Sequence, residues 1–212
     1  MSGKLKNIRP IPIKVILVGD SGVGKTSIIN RYLNQYKEHM DSTVTTSYYN
    51  KSEIIDNYDL IFQIWDTVGQ EQYRSLNSLF FKDAQICLMV YDITKEESFS
   101  SIRHYWYEAI ISNGLEGVIL GVAGNKNDLY MNEKVDRQEV RDFCDEINAT
   151  FRFTSAVQNV CIDDLFKEFG KKFVNSDFIK EVGPEYFDKN SRSESFQLDN
   201  NINSKNAKKK CC

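Results

Sequence analysis

Apolar runs alternate with helical periodicity along the first 175 residues of the chain. Continuous apolar runs of this kind are typical of strands that are buried on both faces. They cover residues 13–18, 86–91, 118–123 and 151–154. Apolar residues that recur at helical spacing predict helices. These cover residues 25–33, 99–111, 135–147 and 162–173.

Two further β-type runs, 54–55 and 58–65, are separated only by Asp56 and Asn57. Such a spacing predicts a hairpin with a tight turn, and therefore one antiparallel edge strand. The segment 34–47 is polar and fits neither a helix nor a strand. Strands that alternate with helices predict a mostly parallel, six-stranded α/β sheet with helices on both faces. In such a sheet, binding loops lie at the carboxyl ends of the strands.

The first loop at that edge carries a phosphate-binding motif. Residues 19–26 read Gly-Asp-Ser-Gly-Val-Gly-Lys-Thr between a strand and a helix, which is the P-loop pattern in its required context. Its backbone N–H groups and the helix N-terminus form an anion site. Lys25 can reach the β- and γ-phosphates, and the Thr26 hydroxyl can ligate Mg²⁺. The predicted phosphate contacts are Ser21, Gly22, Val23, Gly24, Lys25 and Thr26. Together these features predict a three-layer P-loop NTPase fold.

A second motif, Trp-Asp-Thr-Val-Gly-Gln-Glu at 65–71, follows the next parallel strand. Asp66 lies where P-loop enzymes place a carboxylate linked to Mg²⁺. Gly69 has no side chain to keep its N–H from the γ-phosphate. Gln70 has an amide that can orient an attacking water. We therefore predict a metal role for Asp66 and a catalytic role for Gln70.

Two polar tetrapeptides indicate the base. Asn125 and Lys126 precede Asp128, which can accept hydrogen bonds from the guanine N1–H and exocyclic amine, a donor pair that adenine lacks. The aliphatic stem of Lys126 can cover the face of the base. After the last strand, residues 154–157 read Thr-Ser-Ala-Val, where a backbone N–H can meet guanine O6. The predicted contacts from this loop are Ser155, Ala156 and Val157.

Composition limits the other function classes. Of 212 residues, 41% are hydrophobic and 27% are charged, which suits one globular domain with a tail. The net charge of −3 does not favour binding to nucleic acid. Residues 188–210 are poor in apolar side chains and predict disorder. We expect a flexible N-terminus at 1–8, a GTP-binding domain at 9–175 and a disordered tail at 176–212.

With these motifs in this order, the chain resembles a Ras-superfamily small GTPase, and within that superfamily a Rab. Further Rab-like features are Phe-Phe-Lys-Asp-Ala at 80–84, Val-Tyr-Asp-Ile-Thr at 90–94 and the terminal Cys-Cys. The resemblance implies a slow GTPase that cycles between GTP and GDP with Mg²⁺ and guides vesicle traffic. It also implies that Gln70 positions the hydrolytic water, that Thr43 ligates Mg²⁺ in the GTP state, and that Tyr36 covers the edge of the base.

The resemblance implies partners as well: exchange factors, GTPase-activating proteins, effectors and a prenyl-binding dissociation inhibitor. The chain would act as a monomer on the cytosolic face of an intracellular membrane and cycle with the cytosol. The terminal Cys211 and Cys212 resemble a doubly prenylated ending, and two lipid chains anchor stably where one does not. The lysines at 208–210 would add attraction to anionic lipid.

Four departures from the Rab pattern accompany the resemblance. In the first switch segment, residues 41–46, Thr45 stands in place of a glycine. Three threonines are therefore candidates for the metal ligand, of which Thr43 matches best. The interval from Lys25 to Thr43 is about one residue short. Val68 replaces an alanine before Gly69, and Val157 replaces a lysine after Ser-Ala.

Two alternatives to a GTPase switch stay open. A P-loop phosphotransferase or ATPase would share the phosphate loop, although residues 125–128 argue against it. A GTP-binding interaction module with little or no hydrolysis would share every binding motif, and Val68 and the altered first switch keep it open.

Overall fold

The fold is a six-stranded sheet with helices against it. The structure is a computed structural model, and it describes residues 10–37, 47–66, 81–113, 117–177 and 179. Within them, six strands lie in the order β2-β3-β1-β4-β5-β6. The strands are β1 (Ile11–Val18), β2 (Ser47–Ile55), β3 (Tyr58–Asp66), β4 (Ile86–Asp92), β5 (Ile119–Asn125) and β6 (Thr150–Phe153).

Five of the six strands are parallel, and only β2 runs antiparallel to its neighbour β3. The predicted fold class, a mostly parallel six-stranded sheet with one antiparallel edge strand, is therefore confirmed. The register aligns the carboxyl ends of the strands, since Leu17 pairs with Asp66 and Asp92 pairs with Asn125. The described loops that follow β1, β4, β5 and β6 consequently begin at one edge.

The predicted hairpin is present, but its first strand is longer than the sequence indicated. Asp56 and Asn57 form the turn with φ of 47° and 68°, the left-handed pair that matches the twist of the flanking strands. The strand β2 begins at Ser47, whereas only 54–55 was predicted. Its outward side chains face solvent at the sheet edge, and a strand with one wet face needs few apolar residues.

The helices are α1 (Lys25–Tyr32), α2 (Glu96–Ser101), α3 (Tyr107–Ser112), α4 (Arg137–Glu146) and α5 (Ile162–Val174). A π-helical segment, Ile102–Trp106, joins α2 to α3, so the helix predicted at 99–111 is interrupted and starts earlier. A 3₁₀ helix, Asn127–Asn132, lies where no helix was predicted. The helix α4 begins after Asp136, whose carboxylate accepts from the N–H groups of Gln138 and Glu139, so this N-terminus is capped.

Two apolar cores flank the sheet. One lies under α1 and α5 and includes the stacked rings of Tyr32 and Phe166, whose centroids are 3.8 Å apart. The other lies under α2, the π-helical segment and α4, where Phe99 packs edge-on against Phe143. None of the helices among the described residues has the length and hydrophobicity needed to cross a bilayer.

Candidate functional site

The phosphate loop is held against the end of β5 by a close backbone approach. Gly24 precedes α1 with φ of 101°, a left-handed conformation that favours glycine. A Cβ on Gly24 would lie 2.2 Å from Nδ2 of Asn125. Any larger residue at this position would therefore displace Asn125. Of the other predicted phosphate contacts, Ser21 and Gly22 are exposed, and the Val23 side chain is buried in the core.

Lys25 is a buried ammonium that lacks close anionic partners among the described residues. Its Nζ donates to the carbonyl oxygens of Gly19 and Asp20, at 2.7 and 2.9 Å. Burial lowers the pKa of Lys25 to about 8, although the charges of Asp66 and Asp20 oppose this shift. A phosphate in the loop would supply the missing negative charge, which fits the predicted role.

Thr26 and Asp66 are in contact, as the metal prediction requires. The Thr26 hydroxyl donates to Oδ2 of Asp66 over 2.7 Å. Asp66 is fully buried, and its Oδ1 has no hydrogen-bond partner in the part of the chain that the structure describes. Burial raises the pKa of Asp66, although the bond from Thr26 and the charge of Lys25 oppose the shift. An unpartnered carboxylate oxygen beside a hydroxyl is a donor set that suits Mg²⁺.

Asn125 joins the phosphate loop to the loop that follows β6. Its Nδ2 donates to the Val23 carbonyl over 2.9 Å, and its Oδ1 accepts from the Thr154 hydroxyl over 3.2 Å. Both contacts are buried. Asn125 therefore acts in this structure as a bridge between loops that lie 102 and 29 residues away from it in sequence.

Lys126 is fixed by a carboxylate that sequence reasoning did not select. Its backbone adopts the left-handed conformation, with φ of 65°, and its Nζ contacts Oδ2 of Asp92 at 2.6 Å. The other oxygen of Asp92 accepts from the N–H and hydroxyl of Thr94. Burial would raise the pKa of Asp92, but the hydrogen bonds from Lys126 and Thr94 outweigh it, so the pKa lies below its ordinary value. The ion pair holds the Lys126 stem in place.

Asp128 and Ser155 meet from different loops. The Ser155 hydroxyl donates to Oδ1 of Asp128 over 2.6 Å and accepts from the Gln158 N–H over 3.0 Å. The backbone joins the same two loops, since the Asn127 N–H donates to the Thr154 carbonyl over 3.0 Å. The Asp128 carboxylate is thus oriented by a buried serine, and the two base motifs form one unit.

The remaining described candidates lie beside this unit. Ala156 is buried, while the Val157 side chain is 55% exposed. Tyr36 is half-buried after the end of α1, and its ring stacks on the Arg31 guanidinium with 3.8 Å between the guanidinium carbon and the ring centroid. Arg31 in turn donates to the carbonyls of Ala156 and Val157. The structure therefore brings Tyr36 and the last loop together through Arg31.

Several predicted site residues lie outside the described residues. These are Thr43, Gly69, Gln70, Cys211 and Cys212, together with the variant positions Thr45 and Val68. Their predicted roles stay predictions.

Sequence reasoning assigned no role to four contributors to the site, which are Arg31, described above, and Asp92, Thr154 and Trp106. Asp92 ends a buried strand, as Asp66 does, and that position was a usable signal. Thr154 holds Asn125, and Trp106 donates from Nε1 to Oδ1 of Asp20 over 3.0 Å, which ties the phosphate loop to the π-helical segment. These two contacts span 29 and 86 residues of sequence, so local pattern carries no trace of them.

Comparison with known proteins agrees with this geometry. The family model described as the Ras family matches residues 14–175. Ras-related protein Rab-22A of Homo sapiens is 35% identical over 166 residues, which cover 78% of this chain and 85% of the relative. The Rab-22A proteins of Mus musculus and Canis lupus familiaris match with the same identity and coverage.

Proposed function

The chain belongs to the Rab family of Ras-like small GTPases, and from that membership we propose that it is a membrane-anchored switch that binds GTP, hydrolyses it slowly and recruits effectors. The family as a whole consists of GTPase switches of vesicle traffic. The observation that carries the proposal is the bridge through Asn125. Its amide links the phosphate loop to the loop beside Asp128, so one ligand with both phosphates and a purine fits the two loops together.

The phosphates would be bound by the loop that precedes and opens α1. The N–H groups of such a loop at a helix N-terminus would donate to the phosphate oxygens, and Lys25 would supply the positive charge. Gly69 would add an N–H at the γ-phosphate. The residues proposed for this role are Ser21, Gly22, Val23, Gly24, Lys25, Thr26 and Gly69.

The metal would be Mg²⁺, held by Thr26 and Asp66 and, in the GTP state, by Thr43. The contact between Thr26 and Asp66 and the unpartnered Asp66 oxygen support this assignment within the described chain. When bound, Mg²⁺ neutralises charge on the β- and γ-phosphates. Thr43 would also make the first switch sensitive to the γ-phosphate.

The base would be guanine. Asp128 would accept from N1–H and the exocyclic amine, Lys126 would cover one face, and Tyr36 would cover the edge. A backbone N–H from the loop of Ser155, Ala156 and Val157 would meet O6. The bond from Ser155 to Asp128 supports the proposal, because it fixes the carboxylate before a base arrives.

Hydrolysis would depend on Gln70, which would orient the attacking water. We expect Gln70→Leu to slow single-turnover hydrolysis of bound GTP by about tenfold or more, since losing a group that orients a nucleophile costs about one to two orders of magnitude. Phosphate release should be measured after Mg²⁺ is added to the GTP-loaded full-length chain. GDP affinity is the control and should stay within about twofold of that of the unchanged protein.

An unchanged hydrolysis rate in Gln70→Leu would contradict the catalytic role of Gln70. If the unchanged protein binds GTP but releases no phosphate, it is a GTP-binding interaction module rather than a GTPase. The interaction module is the second candidate because of the departures from the Rab pattern at Thr45 and Val68. Each of these residues lies in one of the two segments that would sense the γ-phosphate.

Membrane attachment would depend on Cys211 and Cys212, at the end of the predicted tail. The predicted start of that tail at 176 does not agree with Ile179, which is buried in the core under α1 and α5. We expect the double substitution to serine to move the protein from the membrane fraction to the cytosolic fraction of cells, because loss of both lipid chains removes the stable anchor. Replacing Cys161, a partly exposed thiol, by serine is the matched control and should leave the fractionation unchanged. Retention of the double serine variant on membranes would contradict the anchor.

The partners follow from the same membership. We propose exchange factors, GTPase-activating proteins, effectors and a prenyl-binding dissociation inhibitor as regulators of a monomeric chain. Their place of action would be the cytosolic face of an intracellular membrane.

A further inference from the structure

The end of α1 folds back on itself. Asn34 adopts the left-handed conformation, with φ of 58°. The Asn34 N–H donates to the Arg31 carbonyl over 3.0 Å, and the Gln35 N–H donates to the Asn30 carbonyl over 2.7 Å. These two bonds form a Schellman motif, which reverses the chain after a helix. The reversal brings Tyr36 back over the last turn of α1.

The side chain that receives Tyr36 is Arg31. Its guanidinium carbon lies 3.8 Å from the centroid of the Tyr36 ring. The same group donates from Nε to the Ala156 carbonyl over 2.6 Å and from Nη2 to the Val157 carbonyl over 2.9 Å. One side chain therefore contacts two segments that are 120 residues apart in sequence.

We propose that Arg31 is a positioning residue that sets the retention time of the guanine nucleotide by holding Tyr36 and the 155–157 loop in fixed relation. The proposal rests on the proposed function, because both segments were assigned there to the base. It assigns Arg31 a role without direct contact to the nucleotide.

The chemistry of arginine suits this role. A guanidinium is a planar fork that can donate to two neighbouring carbonyls while its face stacks on an aromatic ring. The peptide unit that carries the Ala156 carbonyl also carries the Val157 N–H, so fixing the oxygen fixes the direction of the N–H. That N–H belongs to the loop proposed to meet guanine O6. Arg31 would thus orient a recognition group through the backbone.

Lysine cannot replace this geometry. Its ammonium is a compact charge without a planar face, so it can approach one carbonyl but cannot span both and stack on Tyr36. The variant Arg31→Lys keeps the charge and the helix propensity of position 31. It therefore separates the fork from simple charge and from helix stability.

The test measures release of a fluorescent GDP analogue from the full-length chain in excess Mg²⁺, chased with unlabelled GDP. We expect Arg31→Gln to speed release by about tenfold or more and Arg31→Lys by about fivefold, since most effects of this kind fall on the dissociation rate. Tyr36→Leu should speed release too. The double variant Arg31→Gln with Tyr36→Leu should speed release by less than the product of the two single-variant factors, because the two groups act as one contact.

The matched control is Arg103→Gln. Like Arg31, Arg103 lies over an aromatic ring, that of Phe143 at 5.7 Å, and its guanidinium has an oxygen partner, here the carboxylate of Glu139 at 2.6 Å. In the described structure it does not contact Tyr36 or the 155–157 loop. The Arg103→Gln variant should release the GDP analogue at a rate within about twofold of that of the unchanged protein.

A second readout separates positioning from general destabilisation. The rate at which Arg31→Lys hydrolyses GTP that is already bound should stay within about twofold of that of the unchanged protein, because the residues proposed to act at the γ-phosphate lie in other segments. The inference is overturned if Arg31→Lys releases the analogue at the unchanged rate, or if Arg103→Gln speeds release as much. Failure of the unchanged protein to bind the analogue at all would instead contradict the proposed function.

Discussion

Replacing Asp128 by asparagine is expected to weaken GDP binding by about 10²- to 10⁴-fold and to create affinity for xanthosine diphosphate. The carboxylate would accept two hydrogen bonds from guanine, and each bond to a charged group is worth about 1.5–3 kcal/mol. Asparagine offers one acceptor and one donor. Xanthine carries an oxygen where guanine carries the exocyclic amine, so the amide donor has a partner there.

The measurement is a competition assay against a fluorescent GDP analogue, with GDP and xanthosine diphosphate as the competitors. Asp136→Asn is the matched control, because it makes the same chemical change at the start of α4. The Asp136 carboxylate accepts from two backbone N–H groups, and asparagine caps helices as well as aspartate does. If Asp128→Asn still prefers GDP to xanthosine diphosphate, Asp128 does not determine the specificity for guanine.

The sequence allowed the central strands and the order of the loops to be predicted, because their burial leaves a local trace. The strand β4 is buried at every position, and a continuous apolar run is what such a strand requires. The Lys-Thr end of the phosphate loop and the Asn-Lys-x-Asp motif have fixed spacings, so each was found from a few neighbouring letters.

Elements at the surface left a weaker trace. In β2, exposed and half-buried positions alternate from Ser47 to Ile54, and Tyr48 is 44% exposed, so no apolar pattern marks the strand. The π-helical segment depends on an extra residue within one turn, which changes no periodicity that a short window can detect.

Contacts within the site were the least predictable. Asp92 holds Lys126 from 34 residues away, and Arg31 holds Val157 from 126 residues away. Each of these residues has an ordinary local setting, at a strand end or in the last turn of a helix. Only the tertiary fold gives these side chains their partners, because the sheet order brings β4 beside β5 and α1 packs near the last loop.

The second large effect concerns the metal. In the unchanged protein, removal of Mg²⁺ with a chelator should speed GDP release roughly 10- to 100-fold, within the range ordinary for coupling between two ligands. Asp66→Asn should abolish most of this acceleration. The substitution keeps the shape of the side chain and an oxygen for the Thr26 hydroxyl, but it removes the anionic oxygens that a hard cation prefers. Release from this variant should be fast with or without the chelator.

Asp92→Asn is the control that makes this result specific. Both aspartates are buried last residues of parallel strands, Asp66 in β3 and Asp92 in β4, but Asp92 contacts Lys126 and Thr94 instead of Thr26. Loss of its charge should speed release by freeing Lys126, yet leave the response to the chelator intact. Because coupling is reciprocal, Asp66→Asn should also reduce by the same factor the extent to which GDP tightens Mg²⁺ binding. A chelator response in Asp66→Asn equal to that of the unchanged protein would mean that the metal is held elsewhere, and that the buried contact between Thr26 and Asp66 serves only to fasten α1 to the end of β3.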